Sequence, residues 1–178
     1  MVKFLLAAVI AAFIALPAAA GDSEVWHVKA FNPDGSLMRI KAIDDGGAMH
    51  DVKATASAGA MQLMGIQARV SGAILPIKLI DQGGDQIAVK AIAADGTLLG
   101  IKAIDADGNM LDVKGVGQDG NIVHIKAIDA AGNQYGVKAY SPGGVAYDVK
   151  GLRFVMEGAE GEVNGVAIHG HVKAIQSH

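Results

Sequence analysis

Ile101-Lys-Ala-Ile-Asp105-Ala-Asp-Gly108-Asn-Met-Leu-Asp-Val113 decides the fold. At both ends, β-branched residues alternate with polar ones, as in a half-buried strand. Between them, Asp105-Ala106-Asp107-Gly108 reads as a turn. The same punctuation recurs at Asn32-Pro33-Asp34-Gly35, Asp44-Asp45-Gly46-Gly47, Gly117-Gln118-Asp119-Gly120 and Ser141-Pro142-Gly143-Gly144, with Gly always fourth. A type I turn followed by a glycine at positive φ is the three-residue hairpin with a G1 bulge. Pro33 and Pro142 stand second, where their fixed φ suits that turn.

Outward from this stretch, a Val or Ile, usually Lys, then Ala or Gly recurs at Val28, Ile40, Val52, Ile66, Ile77, Val89, Ile101, Val113, Ile125, Val137 and Val149. From Ile77 to Val149 the copies cover 72 residues at a period of 12. A fixed period marks a repeat protein. The predicted fold class is all-β: an antiparallel meander of about twelve short strands built from the 12-residue repeat, two of them less regular, near 61–70 and 163–175.

The turn sets the register. Asp105 faces Asn109, which places Lys102 opposite Asp112 and Ile101 opposite Val113. The same rule pairs Lys41 with Asp51, Asp112 with Lys126 and Lys138 with Asp148, and leaves Lys29 facing Arg39 and Lys78 facing Ala88. Opposite charges across strands contribute ~0.2–1 kcal/mol each and penalise a slip. The other face is apolar, with Leu111 and Val113 on one strand and Val123, Ile125 and Ala127 on the next. A parallel β-solenoid is the alternative architecture. It would stack Lys on Lys along the body, so the meander is preferred.

A single sheet with one apolar face must close, fold over or pair with another copy, so a homo-oligomer is allowed. An even number of meander strands would bring the first and last together, and Trp26-His-Val-Lys-Ala30 resembles Gly170-His-Val-Lys-Ala174. The expected form is therefore a closed or flattened barrel, apolar inside.

Residues 1–20 read as a secretory signal peptide: Lys3, an apolar run over 4–16, then Pro17-Ala18-Ala19-Ala20. The 13 apolar residues are too few to span ~30 Å of hydrocarbon, so no membrane span is expected after cleavage. Residues 21–178 are expected to form a single β-repeat domain that is secreted or periplasmic. With no cysteine, it has neither a disulfide nor a lipid anchor on a thiol. The leader removes one Lys and no acid, which leaves 14 cations against 18 acids. That mildly acidic balance gives no reason to expect nucleic acid. Aromatic residues make up only 4%, which argues against the girdles of an outer-membrane barrel.

Candidate chemistry is sparse. The turns at 105–109 and 129–133 carry acids, but Gly is fourth rather than sixth, so turn chemistry explains them better than calcium. His169 and His171 share a strand face, and His27 fills the slot in the first strand that His171 fills in the last. If the ends meet, His27, His169 and His171 could bind zinc or copper. Otherwise each faces solvent, as His124 does. Departures from the repeat include the longer interval at 55–60, Gln67 in a Lys slot, Pro76 inside a strand, and an acidic loop at 156–161. Met61 and Met64 could line a cavity mouth. No Ser-His-Asp arrangement, phosphate-cradling loop or paired apolar carboxylates can be placed, and no cofactor is expected. The expectation is a non-enzymatic exported β-repeat protein that binds or scaffolds a protein or surface partner. The alternatives are a carrier of an apolar small molecule inside the sheet and a metal-binding protein using the terminal histidines.

Overall fold

The computed structural model of the 178-residue chain describes residues 24–56, 63–80, 85–154 and 161–176. All of its regular structure is antiparallel strand, with no helix among the described residues. The first six strands are β1 (Glu24–Phe31), β2 (Leu37–Ile43), β3 (Met49–Ala56), β4 (Leu63–Val70), β5 (Ala73–Leu79) and β6 (Gln86–Ile92). Then come β7 (Leu98–Ile104), β8 (Met110–Asp119), β9 (Ile122–Ile128), β10 (Gln134–Tyr140) and β11 (Ala146–Arg153). A small separate hairpin, β12 (Gly161–Val163) and β13 (Val166–Ile168), precedes the last strand, β14 (Gly170–Gln176). β14 holds a twelfth copy of the motif, anchored on Val172.

The turns follow the sequence. In six of them a glycine N–H bonds the carbonyl three residues back, as Gly35 does to Asn32 and Gly108 to Asp105. Those glycines have φ between 82 and 87°, the left-handed region that side chains avoid. The turn after β8 differs. Gly117, at φ 65°, makes a bulge inside β8, and a two-residue loop of Gly120 and Asn121 joins Asp119 to Ile122. That extra residue shifts the register, so Asp112 faces Ile128 and Lys114 faces Lys126, not Asp112 facing Lys126. Similarly Lys78 faces Lys90, not Ala88. The pairs Lys41/Asp51, Lys102/Asp112, Lys138/Asp148 and Lys29/Arg39 form as the turns require.

The twelve strands of the main sheet pair through 18 ladders, and each strand has three partners. They fall into four junctions: β1/β2/β3, β6/β7/β8, β9/β10/β11 and β4/β5/β14. One further ladder joins every junction to each of the others: β1–β10, β2–β7, β3–β4, β5–β6, β8–β9 and β11–β14. This is the connectivity of a truncated tetrahedron. Short strands twist strongly, more so beside a bulge, and cannot follow one neighbour over their whole length. Each therefore gives one edge to a single partner and divides the other between two. β1 shows this, pairing β3 through 24–27 and β2 through 29–31.

The sheet thus closes without the first strand meeting the last. β14 pairs β4, β5 and β11, and no ladder joins it to β1. The expected end-to-end closure is corrected accordingly. Repeat order fails as a guide to neighbours because strands far apart in sequence fill the gaps that the splayed hairpins leave.

The repeat positions acquire geometric meanings. Val28, Ile40 and Val52 lie inside the first junction, 3–4% exposed. Ala30, Ala42, Ala54, Ala68, Ala91, Ala103, Ala127, Ala139 and Ala174 are fully buried under the joining ladders. There Val-Lys-Ala runs against its own reverse, as Val28↔Ala139 and Ala30↔Val137. Small against branched packs the interior tightly. Among the described residues no polar or charged residue is buried. Met64 is a core residue at 0% exposed, while Met61 and most of 55–60 and 156–161 lie outside the described residues.

Candidate binding surface

Every Lys after Lys3 occupies one slot, directly after the anchor, and Gln67 is the exception among the twelve copies. That slot points outward. Two environments result. Within a junction, each Lys faces the residue before the next anchor. Around the first junction the pairs are Lys29↔Arg39, Lys41↔Asp51 and Lys53↔His27. Across the six joining ladders, Lys faces Lys: Lys29↔Lys138, Lys41↔Lys102, Lys78↔Lys90, Lys114↔Lys126 and Lys150↔Lys173, with Lys53↔Gln67 in the sixth. Like charges directly opposite are destabilising. Like-charge stacking is therefore a feature of this meander and does not discriminate against a solenoid.

Three carboxylates temper the array. Lys41 binds Asp51 and Lys138 binds Asp148, both at 2.5 Å, and Lys102 binds Asp112. The pairing with Lys holds Asp51 and Asp112 below the ordinary carboxylate range. Elsewhere the lysines repel. Burial of its stem, then Lys53, Lys41 and Arg39, push the Lys29 ammonium down. Burial, then Lys114 and Lys102, do the same to Lys90. All fourteen basic residues of the described chain lie in strands, whereas most carboxylates lie in turns and strand ends.

The sequence-predicted metal ligands are placed separately. His27 lies on β1, where Lys53 Nζ stands 2.9 Å from its Nδ1. His171 lies on β14, with Lys78 Nζ 2.8 Å from its Nδ1 and Phe154 edge-on at 5.2 Å. His124 faces Lys150 in the same way at 3.2 Å. An ammonium only donates, so each of these ring nitrogens stands as the acceptor. For His27 the Lys53 charge, and for His171 burial and then Lys78, lower the imidazole pKa. His169 uses its backbone, donating N–H to Leu79 and accepting from Phe154. No ladder joins the strands of His27 and His171. No group of three His, Cys, Asp or Glu suited to a metal ion occurs among the described residues. His178 lies outside them.

The acidic turns are occupied by their own backbones. Asp105 Oδ1 accepts from the N–H groups of Asp107 and Asn109, and Oδ2 from Asn109 Nδ2. Asp129 repeats this pattern and also accepts from the Tyr135 hydroxyl at 2.9 Å. The side-chain bonds to Asn109 and Asn133 lead in holding both carboxyls below their usual range. These turns and 32–35 meet at one end of the closed ring β1-β2-β7-β8-β9-β10. An open hollow of about 550 Å³ lies there, lined by Asn32, Met38, Met110 and Tyr135 among others.

Residues 22–175 match the family model DUF7486, a family of unknown function. The chain belongs to that family. No curated protein and no solved structure matches the chain.

The Lys-on-Lys ladders escaped sequence reasoning, although their signal was present. A motif such as Val-Lys-Ala, paired antiparallel with another copy in register, must place Lys on Lys.

Proposed function

We propose that this DUF7486 protein is an exported, non-enzymatic binding module whose outer lysine array docks an acidic polysaccharide. The observation that carries this reading is the Lys-on-Lys pairing in five of the six joining ladders. An arrangement that costs stability and yet recurs on a closed sheet is expected where a partner supplies the missing counter-charge. The ammoniums sit on strands about 4.8 Å apart, a spacing that suits a polymer with regularly repeated anionic groups. The acidic turns around the strand faces disfavour a wide polyanion such as duplex nucleic acid and favour a narrow single chain. A leader at 1–20 would deliver the protein to where such polymers occur.

The test is a titration with polygalacturonate, a neutral glucan and duplex DNA at several salt concentrations. The reading requires tight binding to the first alone, weakening as salt rises. Equal binding to all three, or none, defeats it. The apolar-carrier reading has one observation in its favour, the hollow with Met38 and Met110 at its wall. Displacement of an apolar dye by fatty acids is its test.

A further inference from the structure

The β4/β5/β14 junction departs from the other three. It joins the last strand, β14, to the β4–β5 hairpin, whereas each of the others is built from three consecutive strands, and its slots before the anchors hold Gly65, Pro76 and His171. The other junctions each carry an Asp there that binds the preceding Lys: Asp51, Asp112 and Asp148. This one has none. It also holds Gln67 where every other copy has Lys. The missing side chain of Gly65 and the short ring of Pro76 leave a hollow of about 200 Å³, lined by Gln67, Ile74, Lys78 and Lys173 among others.

Its polar groups are only partly satisfied. Gln67 Nε2 bonds Thr55 Oγ1 at 2.6 Å, while Gln67 Oε1 is buried without a partner. Rotating the amide exchanges these roles, and one end of the carboxamide is unpaired either way. Such a group costs ~1–3 kcal/mol unless something bonds it. Lys78 gives one of its three hydrogens to His171. Lys173 Nζ lies 3.9 Å from the point a side chain on Gly65 would begin, so it reaches across the floor. No carboxylate pairs with Lys78 or Lys173 among the described residues. Ile74, 53% exposed, and Pro76 supply an apolar wall.

We propose that this hollow binds one uronic acid unit: its carboxylate on Lys78 and Lys173, a ring hydroxyl on the Gln67 carboxamide, and its C–H face on Pro76 and Ile74. The volume falls below the ~300–1,000 Å³ of a drug-sized pocket, which limits the occupant to a single ring. The proposal rests on the reading of the outer face as an acidic-polysaccharide surface and names its specific subsite. The other junctions supply charge alone.

Amide chemical shifts of the protein are followed during titration with monomeric galacturonate and, separately, galactose. Saturable shifts centred on Gly65, Gln67 and Lys173 are expected with galacturonate, at least about tenfold weaker with galactose. Lys173→Gln should weaken binding by a similar factor. Gly65→Leu should abolish it by filling the hollow. A built Cβ there meets its nearest atom at an ordinary 3.6 Å, so the fold should survive. Absence of saturable shifts, or unchanged binding in both variants, overturns the proposal. If the monomer fails while polygalacturonate still binds, only the subsite is refuted. If the polymer fails too, the surface reading falls with it.

Discussion

Leu79 occupies a slot that holds Ala or Gly in every other copy, and its extra carbons are accommodated by glycines elsewhere. Leu79 is 0% exposed. A Cβ on Gly151 would lie 2.9 and 3.1 Å from the two Leu79 methyls and 3.1 Å from Val123 Cβ. Leu79→Ala removes three buried carbons, ~0.8 kcal/mol each in transfer terms. With the cavity left behind, the loss should be about 3–4 kcal/mol. Gly151→Ala forces a methyl into that space, at a cost of about 1–3 kcal/mol. In the double variant both Leu79 contacts vanish and the new methyl refills part of the cavity. Only the Val123 contact remains tight. The double variant should therefore be no less stable than Leu79→Ala alone, with a coupling of about 1–3 kcal/mol against additivity, the whole cost of Gly151→Ala. Urea unfolding followed by Trp26 fluorescence measures this. Trp26 is the single tryptophan, 1% exposed, with the Tyr147 ring 4.7 Å away. Effects that add within ~0.5 kcal/mol would refute the claimed exchange of volume between β5 and β11.

Acid should weaken the fold earlier than its carboxylates alone would dictate. His27 and His171 have pKa values below the ordinary 6.5, so the unfolded chain takes up protons first. Their contribution is whole above about pH 6.5 and is lost as pH falls below it. Melting temperatures across this range should decline, less so in His171→Gln, and identical profiles would contradict the Lys-to-His bonds. Gly108→Val places a β-branched residue at φ 87° and should cost at least about 1–2 kcal/mol by urea midpoint. Gly100 lacks that constraint and its Cβ would meet only Lys90 Nζ at 3.9 Å, so Gly100→Ala should leave the midpoint unchanged or raise it.

Strand identity, turn type and most hairpin registers were legible because each depends on neighbours within one repeat. Asp105 to Gly108 fixes its own turn, and that turn fixes Lys102 against Asp112. The bulge at Gly117 was not legible, since Gly117-Gln118-Asp119-Gly120 has the same fourth glycine as the true three-residue turns. Which strands meet across junctions was hidden for another reason. The motif is nearly identical in every copy, so the pattern is consistent with many pairings, and the exceptions select one. Leu79 with Gly151 is such an exception, legible only once β5 and β11 are known to face one interior. Of the candidate site, the lysines are visible as a period, but hairpin register alone sets them against Asp, and their Lys partners lie across the joining ladders that turn chemistry does not specify. The hollow at Gly65, Gln67 and Pro76 appeared in the sequence as lapses in the repeat. Its chemistry emerged only when β14 brought Lys173 and His171 alongside.

Lys114 and Lys126 face each other across β8 and β9, and neither makes an ion pair among the described residues. Replacing both with Gln separates function from stability more directly than any other change. If the array is kept for an acidic partner, Lys114→Gln/Lys126→Gln should weaken polygalacturonate binding while the melting temperature stays level or rises, by relief of like-charge repulsion. Unchanged binding with a lower melting temperature would contradict the account and make the lysines structural.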